Sequence, residues 1–352
     1  MDKTQGIKKT IEKHLKEFFE TKSKKPLFKN NKDLKTLFFQ VKDLTLRKAS
    51  RTRALLFYYG YLAFSKKKIK DVLKLSVFFE VLQSYLLIHD DIIDKDITRR
   101  GGLSGWAYFY KFFADKLAIK QEEKIHLANS LAIVSGDLAA AWLYEIVLES
   151  GFDSSKKAEF LKEFSRFLEK VIAGQFLDVL LPYKRFPSKK EILNSYYLKT
   201  ASYSIEAPLY LGAFLAGASK STLKEISDFS KFLGVAFQIK DDISDIFLEE
   251  GSDLKEGKMT LLLYYLFKSS VSKKDKNFIL SLKNKEKLTK KDIKKAREIF
   301  IKSLALQKTQ KDLFFFLEKA EKTLKELKLS TDSYNFLFSL VEKFASFKGF
   351  AF

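Results

Sequence analysis

The feature that most constrains this chain is an apolar run ending in carboxylates: Glu80-Val-Leu-Gln83-Ser-Tyr85-Leu86-Leu-Ile-His89-Asp90-Asp91-Ile-Ile-Asp94-Lys-Asp96-Ile-Thr-Arg99-Arg100-Gly101. On a helix, Asp90 and Asp94 stand within about 40° of each other and Asp91 about 100° from Asp90. Like charges one turn apart repel, and the placement gains nothing unless a cation sits among them. Oxygen ligands, with no cysteine present and His89 directed off that face, suit a hard ion such as Mg²⁺. Such an ion fills its shell with water and phosphate oxygens, so Arg99 and Arg100 read as phosphate clamps.

The i, i+1, i+4 spacing returns at Asp241, Asp242 and Asp245 in Phe237-Gln238-Ile-Lys240-Asp241-Asp242-Ile-Ser-Asp245. One such cluster can cap a helix or lie on a solvated face. Two, each in apolar sequence with basic residues nearby, describe two acidic walls that clamp a polyphosphate through shared metal ions.

Four prolines and 14 glycines in 352 residues, among long stretches of Leu, Ile, Phe, Lys and Glu, predict an all-α chain. No Gly/Ser/Pro-rich linker divides it, so one helical domain over residues 1–352 is expected. The absence of cysteine rules out disulfides, thiolate metal sites and cysteine nucleophiles. The first residues lack an apolar signal core, and cytoplasmic residence is the expectation. The apolar windows 127–148 and 205–218 read as buried helices: the first carries Asp137 and Glu145, and the second falls short of the about 20 residues of a membrane span. A net charge of +21 raises nucleic-acid binding. Its lysines, densest over 273–297, alternate with acids without a recognisable nucleic-acid module and fit solvated helix faces, so no nucleic acid is expected as a partner.

Taken in order, residues 4–20 form an amphipathic helix on Ile7, Ile11, Leu15, Phe18 and Phe19, followed by a polar connection over 22–31. The cations of Arg47-Lys48-Ala49-Ser50-Arg51-Thr52-Arg53 precede an apolar helix whose positive end can gather a phosphate. Asp71 is expected to cap the long helix that leads to the first aspartates. His89 reads as a packing residue. Lys199, inside the run Tyr196-Tyr197-Leu198-Lys199-Thr200, needs an anionic partner to justify burial. Pro208 is expected to kink its helix. Residues 247–260, with two glycines and alternating charges, read as a mobile loop carrying Lys258.

These motifs, with Lys199-Thr200, Gly234 to Gln238, Gly257-Lys258-Met259-Thr260 and Gly136-Asp137, resemble the trans-isoprenyl diphosphate synthases of the farnesyl and geranylgeranyl type. The resemblance covers about residues 44–263. It implies a single large helical bundle around a deep central cavity, Mg²⁺ as cofactor, isopentenyl and allylic diphosphates as substrates, and a homodimer. By resemblance Asp90, Asp91, Asp94, Asp241, Asp242 and Asp245 form the metal site. Lys199, Thr200, Gln238, Asp90 and Asp241 are the catalytic set, and Arg51, Arg53, Gln83, Arg99, Arg100, Lys199 and Lys258 bind substrate. Arg53 matches the arginine of the family's Gly-Lys-x-x-Arg pattern, whereas Ala49 and Ser50 replace the glycine and lysine, leaving Lys48 or Arg51 as substitutes. Tyr85 and Leu86, one turn before Asp90, would set product length, with geranylgeranyl favoured over farnesyl diphosphate. A terpene cyclase is disfavoured by the second aspartate cluster, and a non-catalytic partner subunit by the presence of all six aspartates.

Overall fold

The computed structural model describes residues 3–184, 187–248, 251–283, 285 and 287–346. The architecture is all-α, with one two-residue-per-strand hairpin among the described residues. The chain forms two compact units: residues 1–58 with 66–161, and residues 59–65 with 162–352.

In the first unit, the amphipathic pattern at the N-terminus becomes the helix Lys3–Ser23, with Ile7, Ile11, Leu15 and Phe19 buried. The polar connection after it contains a helical turn, Pro26–Lys29, started by the fixed φ of Pro26 and carrying buried Phe28 inward. Trp142 gathers this layer, with edge-on contacts to Phe18, Phe19, Phe28 and Phe38 at 5.9–6.1 Å between ring centres. Lys22 is buried beside them because the Glu145 carboxylate receives its ammonium.

The helix Lys32–Leu46 begins where Asn31 accepts the amides of Asp33 and Leu34. The chain then breaks at Arg51, whose φ of 59° no helix tolerates, and restarts as Thr52–Leu62. Asp71 does not cap the long helix. It lies in the first turn of a separate short helix, Ile69–Leu75, while Val77–Ile93 starts after Ser76. The Asp71 side chain lies over Gly151 so closely that a β-carbon there would overlap the carboxylate. Val77–Ile93 packs against Gln121–Leu148. Ile69–Ile93 and Gln121–Leu148 are long and apolar enough to cross a membrane by length and composition, and two-thirds of the first stretch is buried within the protein.

In the second unit, Lys220–Phe247 is the central helix, packed against Ala305–Glu326 and against Tyr196–Glu206. Tyr196–Glu206 is an eleven-residue π-helix, bracketed by the α-helices Lys189–Ser195 and Ala207–Leu215. Its wide turns fit because two glycines face it. A β-carbon on Gly174 would overlap the Lys199 backbone nitrogen, and one on Gly234 would overlap Ala201. Pro208 occupies the first turn of the following α-helix, so the irregularity expected at the proline lies upstream of it. The loop expected over 247–260 holds a short helix, Ser252–Glu256, flanked by Gly251 and Gly257 in the left-handed region. Residues 249 and 250 of that loop lie outside the described residues.

Candidate active site

In the first unit the carboxylates crowd the C-terminal end of Val77–Ile93, where Asp94 is the cap residue and donates its amide to the Asp90 carbonyl at 2.8 Å. Negative side chains here oppose the helix dipole and one another, a cost that a bound cation would relieve. The three are not equivalent. Asp91 is fully buried and takes Arg99 Nε at 2.6 Å on Oδ1, while its Oδ2 has no hydrogen-bond partner. Burial pushes the Asp91 carboxyl up to about 7 despite Arg99. Burial also works against the Arg99 charge, and Asp91 and Asp96 outweigh it. Asp90 and Asp94 are half-buried.

Arg99 and Arg100 lie on a hairpin, Thr98–Arg99 paired with Gly102–Leu103. Positive φ at both Arg100 and Gly101, 52° and 75°, marks the tight turn whose twist matches the strands. Arg47 holds this hairpin: its Nη1 donates to the carbonyls of Arg99 at 2.6 Å and Leu103 at 2.9 Å, and Asp43 takes its other side. Gly102 leaves the space, since a β-carbon there would lie 2.6 Å from the Arg47 guanidinium carbon. Arg100 donates to the Leu44 carbonyl at 3.3 Å.

Arg51, expected to meet substrate, turns into the core at 3% exposure. It donates to Glu80 at 2.9 Å and to the carbonyls of Thr45 and Arg47 at 2.8 and 3.0 Å. Arg53 is half-buried in the first turn of Thr52–Leu62. Gln83 is buried, and its Oε1 has no hydrogen-bond partner, a cost an incoming donor would remove. Tyr85 and Leu86 are half-buried. The Tyr85 ring meets His89 edge-on at 5.0 Å, and burial raises its hydroxyl pKa. His89 also bonds the Tyr85 carbonyl and lies against Gly136, with Asp137 at 3.6 Å. It is the packing residue the sequence suggested.

In the second unit a relay runs from Thr200 through Gln238 and Asp242 to Tyr196. Thr200 Oγ1 donates to Gln238 Oε1 at 2.6 Å, and Gln238 Nε2 donates to Asp242 Oδ1 at 2.7 Å. Tyr196 donates its hydroxyl to Asp242 Oδ2 and accepts the Leu261 amide at 3.0 Å. Burial pushes the Asp242 carboxyl up to about 8 against these two donors. Asp245 is buried as well and caps the short loop helix: it accepts the Ser252 amide and hydroxyl at 3.0 and 2.6 Å and the Asp253 amide at 3.0 Å. Asp241 is the exposed member of the cluster. Lys199 finds an anion within the protein, Asp178 Oδ2 at 2.6 Å. Lys258 reaches Glu256 at 2.7 Å and Asp253 at 3.6 Å.

The other end of the π-helix is pinned too. Buried Glu206 accepts Tyr197 Oη at 2.9 Å and Lys170 Nζ at 3.2 Å, and burial, with the Glu206 carboxylate beside it, pushes the Tyr197 hydroxyl well above the ordinary phenol value. Tyr197 therefore stays a neutral donor to Glu206.

Each cluster therefore engages its buried aspartates in the fold: Asp91 with Arg99, Asp242 with Tyr196 and Gln238, Asp245 with a helix start. Among the described residues no three His, Asp or Glu side chains converge closely enough to hold an ion alone. That donor set suits Mg²⁺ taking most of its shell from water and diphosphate rather than an all-protein cage. Arg47, Asp178 and Tyr196 were not assigned from sequence. For Tyr196, the only signal was a large polar aromatic three residues before Lys199.

The polyprenyl synthetase family model matches residues 36–300. The short chain isoprenyl diphosphate synthase of Methanocaldococcus jannaschii is 30% identical over 280 residues, 77% of this chain and 78% of that one. The geranylfarnesyl diphosphate synthase of Aeropyrum pernix is 28% identical over 71% of this chain and 74% of its own. A Corynebacterium glutamicum geranylgeranyl pyrophosphate synthase structure, complexed with isoprenyl diphosphate and magnesium, has a TM-score of 0.89 at 24% identity, covering 97% of this chain and 98% of that one. With a family model spanning most of its length, this chain belongs to the polyprenyl synthetase family.

Proposed function

We infer that the protein is a short-chain prenyltransferase that joins isopentenyl diphosphate head to tail to an allylic diphosphate, giving geranylgeranyl or farnesyl diphosphate and pyrophosphate. The observation that carries the reading is the pair of carboxylate clusters, each with its buried members fixed by the fold. The family match supports it.

In this proposal Asp90, Asp94 and Asp241 would hold Mg²⁺, and Asp91, Asp242 and Asp245 position the elements that carry them. When bound, the metal neutralises charge on the departing diphosphate. Arg99, Lys199 and Lys258 add positive charge around the same leaving group. The carbon–oxygen bond breaks, and the Lys199 carbonyl, Thr200 Oγ1 and Gln238 supply dipoles for the allylic cation. Arg53, Gln83 and Arg100 hold isopentenyl diphosphate so that its double bond faces that carbon. Once the new carbon–carbon bond forms, the proton lost goes to the released pyrophosphate. Arg51 takes a structural role here, because its guanidinium faces Glu80.

Tyr85 and Leu86 limit product length in this reading, with twenty carbons favoured. The molecule works in the cytoplasm, its whole chain acting as one functional domain. It pairs with a second copy through the apolar face that Gln121–Leu148 leaves open, where Ile133, Val134, Tyr144 and Leu148 are 43–60% exposed. Light scattering of the purified chain tests the dimer: a monomer at micromolar concentration would refute it.

The deciding experiment incubates the protein with Mg²⁺, radiolabelled isopentenyl diphosphate and, separately, dimethylallyl, geranyl or farnesyl diphosphate. Labelled prenyl products are expected, and their length identifies starter and product. Folded protein that yields none from any starter would be a non-catalytic partner subunit instead.

A further inference from the structure

Residues 273–302 carry twelve Lys or Arg against four Asp or Glu. Within this stretch the helices Lys273–Leu280 and Lys290–Lys302 lie side by side: Lys302 Nζ meets Asp275 Oδ2 at 3.3 Å, and Lys295 Nζ sits 3.9 Å above the Phe278 ring. The carboxylates offset only part of this charge, twelve minus four leaving an excess of eight. Asp292 is held by the Thr289 amide and hydroxyl and by Lys285, and Asp275 by Ser272 and Lys302. Lys273, Lys274, Lys287, Lys290, Lys291 and Lys294 are exposed, and none pairs with a carboxylate among the described residues. Three large apolar side chains stand out at the ends of the same two helices: Leu280 and Leu304 at 55% exposure and Ile301 at 44%.

We propose that this face is a docking surface for an anionic lipid bilayer. Lysines attract acidic headgroups at roughly 1 kcal/mol each near the surface, and exposed leucine and isoleucine add apolar contact at the headgroup boundary. The chemistry separates this partner from a nucleic acid. The stretch has one arginine, Arg297, which donates inward to the Ile246 carbonyl at 2.7 Å, and it exposes no aromatic ring for base stacking. The surface is independent of the catalytic reading, though a bilayer is where a twenty-carbon product would partition.

The test is sedimentation of the full chain with large unilamellar vesicles, either pure phosphatidylcholine or with a third of the lipid replaced by phosphatidylglycerol. Binding to the anionic vesicles only is expected, with loss in high salt. K290E/K291E/K294E should bind at least roughly a hundredfold more weakly, and L280S/L304S should weaken binding separately. Lys290, Lys291 and Lys294 are exposed and pair with no carboxylate among the described residues, so the triple variant is expected to keep its fold and its prenyl-transfer rate. Equal binding to neutral vesicles, unchanged binding by the triple variant, or tighter binding to a DNA duplex than to anionic vesicles would each overturn the proposal.

Discussion

Gly136 stands directly against His89: a β-carbon added there would overlap the imidazole ring. His89 in turn holds the Tyr85 ring edge-on at 5.0 Å. Gly136 thus supports, from a neighbouring helix, the residue proposed to end the product chain. Tyr85→Ala is expected to lengthen the product. Gly136→Ala should shift the distribution through His89 while costing about 1–3 kcal/mol of stability. Product chromatography of both variants checks this, and an unchanged profile in Tyr85→Ala would remove Tyr85 as the floor.

The first cluster predicts a division between activity and stability. Asp90→Asn is expected to lower kcat about 10²–10³-fold while leaving the melting temperature in place. Asp91→Asn disturbs a buried pair with Arg99 and should cost about 1–3 kcal/mol of stability. Thermal melts beside initial rates distinguish the two. Equal melting losses in both variants would contradict the separation.

Tyr196→Phe removes the donor to Asp242 and the acceptor for the Leu261 amide in one step. The expected result is a fall in kcat larger than any change in KM for isopentenyl diphosphate, because the second cluster and the segment behind Lys258 lose a shared anchor. A KM effect alone would place Tyr196 on the substrate rather than behind the aspartates.

Glu145 gives a pH prediction away from the site. Burial alone would raise its carboxyl, but Lys22 and Lys25 hold it below the ordinary value. A depressed folded pKa means that the stabilisation is present above the unfolded value of about 4.3 and is lost as pH falls below it. Lys22→Met should therefore lower stability at pH 7 and flatten the acid side of the stability curve. Urea midpoints measured from pH 7 down to pH 3 provide the check, with parallel curves counting against the pair.

The positions of the helices, both aspartate clusters and Lys199-Thr200 were legible because apolar periodicity and charge spacing are local properties. Roles within a cluster were not. Asp90 and Asp91 are neighbours in sequence, and only tertiary packing decides that one is half-buried while the other is sealed against Arg99. Arg51 and Arg53 both read as substrate-binding cations, Arg53 as the family's arginine and Arg51 as a substitute for its lysine, but the left-handed backbone at Arg51 turns its guanidinium toward Glu80. Nothing in Tyr196–Glu206 announces a π-helix, and the room it occupies is left by Gly174 and Gly234 on other helices. Asp71 failed as a cap for a related reason: the chain inserts a short helix before the long one.

Eleven residues with i to i+5 bonding complete fewer turns than the same residues would in an α-helix. Tyr196–Glu206 is therefore a phase shifter. It sends Leu209, Leu211 and Leu215 into the core from a direction that an unbroken helical wheel drawn through Lys199 would not give them. A change that restores ordinary α-geometry near Thr200 would rotate an entire downstream helix, so the cost of altering these few residues would be felt far from them.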